Sequence, residues 1–100
     1  MEVPTKPDWV GEREEDQLHT CSRLVENRLA PDYKTRAAFR GRVRVLAKEW
    51  IGNTSPELVG LLCEVVEYQA YTGYLVPWLS AAQNRRIARC AEILSDHEVA

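Results

Sequence analysis

Apolar residues recur at helical spacing in four stretches of this chain, and nowhere do apolar and polar positions alternate as they do along a half-buried strand. In the first stretch Val10, Leu18, Cys21, Val25 and Leu29 form one stripe, with Glu12, Glu15, Asp16, His19, Arg23 and Glu26 on the other faces. Thr5-Lys6-Pro7-Asp8 ahead of it sets a threonine three residues before a carboxylate with proline between, the pattern of a capping box, and predicts a helix over 6–30. Pro31 bars Ala30 from helical geometry, so a second helix is expected over 32–51 with Phe39, Val43, Leu46 and Trp50 as its inward stripe. Gly52-Asn53 reads as a left-handed cap pair closing it. Thr54-Ser55-Pro56-Glu57 repeats the start signal and opens a third helix over 54–72, ended by Gly73. Here Leu58, Val59, Leu61, Leu62, Val65 and Val66 cover most of the circumference and leave a narrow seam of Glu57, Gly60, Glu64 and Glu67, which places this helix at the centre. A fourth helix is expected from Pro77, or after Ser80 through a further capping box with Gln83, to about 94, with Ile87, Cys90, Ala91 and Leu94 facing the core. The pattern therefore predicts an all-α fold, a small single-domain bundle of about four helices over 1–100, frayed at 1–5 and 95–100.

Composition sharpens this picture mainly through charge. A length of 100 residues with 45% apolar residues suits one modest core. The net charge of −2 excludes a generally basic coat for nucleic acid, so any binding charge has to be local. It is local: residues 1–33 hold eight acids and four bases, residues 34–50 six bases and one acid, and residues 51–74 three acids and no base. No basic stretch followed by an apolar block opens the chain, and the longest uncharged run, 68–84, is broken by Gly73 and Pro77, so a cytoplasmic protein is expected. Cys21, Cys63 and Cys90 are odd in number, widely spaced and set in or beside apolar stripes; they read as unpaired packing residues with no metal and no cofactor.

Three constellations are candidates for contact. Arg36, Arg40, Arg44 and Lys48 stand four apart on the second helix, a ladder about 18 Å long that can track phosphates or an acidic partner. The plainer reading is a solvated or acid-paired face, on which reversing Arg40 and Arg44 to glutamate preserves the fold. Glu12, Glu14, Glu15 and Asp16 form an acidic patch suited to a basic groove, although carboxylates at a helix start also complement its dipole. Tyr71, Tyr74 and Trp78, near Tyr68 and the apolar loop Tyr74-Leu75-Val76, gather aromatic surface at the end of the third helix, where they either close the core or anchor an interface. There is no glycine-rich phosphate loop, no nucleophile elbow and no Cys-x-x-Cys, and the two histidines lie in polar surroundings, so no enzyme is expected.

In length, expected helicity, mild charge and lack of a catalytic signature the chain resembles the small inhibitor proteins of phages and mobile elements, the anti-CRISPR proteins among them. The resemblance is one of type, so it assigns no residue a role. It implies a non-catalytic protein that binds and blocks or regulates a larger assembly; that the acidic patch and the aromatic loop make the contact, with an assembly that handles nucleic acid, is the expectation drawn from the residues themselves. The alternative is a small DNA- or RNA-binding regulator using the basic second helix; the third helix, with Glu57, Glu64 and Glu67 and no base, is unfit to enter a groove.

Overall fold

The computed structural model describes residues 2–28, 36–51 and 55–98, with side chains outside 28, 36–37, 50–51 and 93–98. Four helices follow one another, α1 (Glu12–Arg28), α2 (Arg36–Ile51), α3 (Pro56–Thr72) and α4 (Ala81–Glu98), and no strand occurs among the described residues. They enclose one hydrophobic cluster in a body 37 × 29 × 20 Å. The all-α bundle is as the periodicity requires. α3 carries apolar residues nearly all round and is buried accordingly: Leu58, Val59, Leu61, Leu62, Val65, Val66 and Tyr68 all lie in the core. Its most extensive contact is with α4.

The helix starts show which local signals prevail. Ser80 and Gln83 exchange both arms of the expected capping box, the Ser80 N–H donating to Gln83 Oε1 at 2.9 Å and the Gln83 N–H to Ser80 Oγ at 3.1 Å. Of the two starts considered for α4, the one after Ser80 is adopted, and the helix continues to Glu98, past the expected end at 94. Gly73 closes α3 at φ 73°, ψ 1°, its N–H on the Gln69 carbonyl, a left-handed geometry that glycine adopts without strain. The cap of α3 is Ser55 rather than Thr54: its side chain accepts the Leu58 N–H at 3.2 Å and Pro56 takes the first helical position.

The expected start of α1 at residue 6 is overturned. Residues 8–9 form a turn closed by the Val10 N–H on the Pro7 carbonyl, and the helix begins at Glu12. Gly11 is its cap residue, and Glu14 reaches back to the Gly11 N–H at 2.9 Å, half of a capping box. The cause is tertiary. Pro4 and Val10 are buried, and the Trp78 indole N–H holds the Pro4 carbonyl at 2.9 Å, so residues 4–10 run as a strap across the bundle. The end of α1 beyond Arg28, the start of α2 at 32 and the Gly52-Asn53 cap pair lie outside the described residues.

Candidate functional site

The acidic patch is set in place by the start of α1, where Glu12, Glu14 and Glu15 occupy the first turn and complement its dipole. Two of its carboxylates are engaged within the chain. Glu14 bonds the Gly11 N–H, which holds its carboxyl below the usual carboxylate range. Glu15 pairs with Lys6 of the strap at 2.5 Å. Glu12 and Asp16 are exposed and have no ion pair among the described residues.

The aromatic loop divides in two. Trp78 is half-buried and clamps the strap, so its polar end is committed inside the chain. Tyr74 and Leu75 stand 68% and 63% exposed in a loop where polar residues are the rule, and Tyr71, in the last turn of α3, is 41% exposed. This loop is held, not floppy. Thr72 Oγ1 donates to the Tyr68 carbonyl at 2.6 Å and accepts the Tyr74 N–H at 3.1 Å. On the other side Asn84, buried in α4, accepts the Val76 N–H at 2.9 Å and donates to the carbonyls of Val76, Leu79 and Ser80 at 3.1–3.2 Å. With Val76 fully buried as a peg, Tyr74 and Leu75 are presented on an over-determined backbone. Asn84 and Thr72 are the residues that sequence reasoning missed; an asparagine one helical turn after a serine cap carries no pattern that distinguishes a loop staple from a surface residue. Replacing Asn84 by alanine is expected to cost about 2 kcal/mol, because the buried Val76 N–H loses its acceptor, while the Val76 and Ser80 carbonyls keep only the backbone N–H groups of Leu79 and Asn84. Thermal melting and amide exchange at Val76 check this.

The acidic turn and the loop are joined by the strap: its contact to Trp78 (Pro4) and its contact to Glu15 (Lys6) are two residues apart, at most about 7 Å of extended chain. The basic ladder behaves otherwise. Arg40 does not face water freely: its Nε and Nη2 donate to the two carboxylate oxygens of Glu67 at 2.7 and 2.6 Å. Glu67, expected on the exposed seam of α3, is 5% exposed. The pairing raises the Arg40 pKa further above its ordinary value. Of the two readings given to the ladder, acid pairing holds at Arg40, so the reversal of Arg40 and Arg44 to glutamate is now expected to cost stability through its Arg40 half, where a second carboxylate would meet buried Glu67. Arg44 and Lys48 are exposed, and the side chain of Arg36 is outside those described.

Little else is arranged for chemistry. The apolar cavity lined by Leu18, Val65, Leu79 and Ile87 measures about 10 Å³, room for no more than one water. A shallow groove of about 260 Å³ lies between Trp9, Arg13, Gln17 and Ser55 and opens to solvent. The three cysteine thiols are unpaired and buried, and among the described residues no three metal-ligating side chains converge. No helix among the described residues is long and apolar enough to cross a membrane. Compared with known protein families, with curated proteins and with solved structures, the chain matches none.

Proposed function

We propose that this chain is a non-catalytic binding protein that inhibits or regulates a larger, nucleic-acid-handling assembly by direct contact, with Tyr74 and Leu75 as short-range anchors and the acidic start of α1 as the steering charge. The observation that carries the reading is the apolar loop presented on fixed backbone. Exposed rings and leucines on a pre-ordered loop lose little entropy on binding and bury much area, the character of an interface hot spot. Exposed Glu12 and Asp16 add a field that draws the chain toward a basic surface, such as one that accommodates nucleic acid. Trp78 belongs to this surface as the residue that fastens it to the strap, and Tyr71 borders it. The reading includes no enzyme activity, no cofactor and a cytoplasmic setting.

The test is affinity capture from the native host, with a DNA and RNA gel shift in parallel. Tyr74→Ser/Leu75→Ser is expected to weaken capture of the partner about tenfold or more, since truncated anchors typically cost upward of a kilocalorie each, while melting stays unchanged. Glu12→Gln/Asp16→Asn is expected to slow association at low salt and to leave dissociation as it was. A partner held equally by the Tyr74/Leu75 variant would end this reading. A salt-sensitive gel shift lost with Arg44 and Lys48 would move the function to nucleic acid on α2.

A further inference from the structure

The exposed part of the basic ladder and the acidic seam of α3 remain unassigned by the reading above, and their geometry is informative. α2 and α3 are successive helices joined across residues 52–55, and Arg40, early in α2, bonds Glu67, late in α3, so the two run antiparallel in a known register. In that register Arg44 stands level with Cys63 and Lys48 level with Val59. Both are buried, and Arg44 indeed lies near enough to act on the Cys63 thiol. Neither cation therefore meets an acid directly opposite within its own chain, and among the described residues neither has an ion pair. On α3 the outward seam runs Glu57, Gly60, Glu64, with Glu57 and Glu64 exposed and likewise unpaired among the described residues. At Gly60 nothing lies within 4 Å of where a side chain would stand, which leaves the middle of the seam open to close approach. The face thus carries two adjacent rows of opposite charge.

We infer that this α2–α3 face is a self-association surface on which a second copy of the chain docks about a twofold axis parallel to the two helices. Such an axis exchanges the rows and leaves each residue's level along the helix unchanged. Arg44 of one copy then stands within one residue, about 1.5 Å of rise, of Glu64 in the second copy, and Lys48 within about 3 Å of rise of Glu57, which its flexible stem spans. Because the contact is isologous, both pairings occur twice and the assembly closes as a dimer. A twofold axis across the helices would set like rows against each other, which charge repulsion opposes. The surface is distinct from the Tyr74 loop, so the inference stands or falls apart from the proposed function.

Sedimentation velocity of the whole chain tests it. The wild type is expected to sediment as a dimer near 0.1 M salt and as a monomer near 1 M, as the screening length falls from about 10 Å to about 3 Å. Arg44→Glu/Lys48→Glu makes both rows acidic, and Glu57→Lys/Glu64→Lys makes both basic; each is expected to weaken self-association about tenfold or more, with unchanged helical circular dichroism. An equimolar mixture of the two variants is expected to restore the dimer, because each row again faces its opposite. That rescue separates docking between copies from ion pairs within one chain. Should the Glu57/Glu64 variant fold poorly, wild-type salt dependence and the Arg44/Lys48 variant decide alone. A wild type that is monomeric near 0.1 M salt overturns the inference, and so does undiminished dimer in the Arg44/Lys48 variant. Two folded variants whose mixture stays monomeric overturn it as well.

Discussion

Arg40→Glu is expected to destabilise the fold by about 4 kcal/mol, a large share of the roughly 5–15 kcal/mol that holds a domain of this size together. The side chain of Glu67 is 6% exposed and that of Arg40 43% exposed, so the two ends of the pair are unequal. Removing a partner from a fully buried pair costs about 3–5 kcal/mol, because the remaining charge loses its counter-charge in a poor solvent. Arg40→Ala should fall near the lower end, about 3 kcal/mol, since water enters where the guanidinium lay, and the glutamate adds repulsion to that. The opposite substitution is milder. With Glu67→Gln the arginine swings into solvent and the amide keeps the shape, at about 1 kcal/mol. Urea unfolding of the single variants, and of Arg40→Met/Glu67→Leu as an apolar replacement of both ends, measures the asymmetry. Equal losses for Arg40→Ala and Glu67→Gln would show that the pair is only a surface contact.

That same pair marks where sequence reading stopped. Periodicity located four helices and most of their inward residues, because burial of a stripe is a one-dimensional signal. The ends were legible where a cap is local: Gly73, and the Ser80–Gln83 box, need nothing from the rest of the chain. At α3 the proline decided between two adjacent caps, since Pro56 favours the first helical position and so makes Ser55 the cap. At the amino terminus a similar local signal at Thr5, weaker because aspartate is shorter than glutamate, lost to tertiary forces, the burial of Val10 and the clamp on Pro4 from Trp78, which lies 74 residues away in sequence. A four-residue ladder likewise turns about 40° per rung, so spacing alone does not say which rung meets the neighbouring helix. Arg40 and Glu67 are separated by 27 residues, and only the docked helices bring them together. Of the candidate site, the apolar character of Tyr74 and Leu75 was readable, but their exposure was not, because it depends on Asn84 holding the loop outward from inside.

The three cysteines, whose packing role was readable from their apolar neighbours, give the second large effect, an alkaline loss of stability. Burial pushes the thiols of Cys21 and Cys90 up to about 12 and that of Cys63 to about 11, from an ordinary value of 9.0. The folded chain therefore keeps its thiol protons at a pH where the unfolded chain releases them. Unfolding then sheds protons, and stability falls as pH rises, beginning near 9 and continuing until the folded thiols themselves ionise near 11 to 12. Each thiol contributes about 1.4 kcal/mol per pH unit inside that window, so the three together are expected to remove about 4 kcal/mol by pH 10. Tyrosines and lysines titrate in the same range, so the check is a difference in slope between wild type and Cys21→Ala/Cys63→Ala/Cys90→Ala. Cavities left by alanine lower stability at every pH alike and appear as an offset, whereas the thiol contribution appears only as slope between pH 8 and 10. If the triple variant is too weak to measure, Cys63→Ala alone is expected to remove about a third of the slope. Parallel curves for wild type and variants would mean that the thiols reach solvent in the folded chain, and that the centre of the bundle between α1, α3 and α4 is open rather than closed.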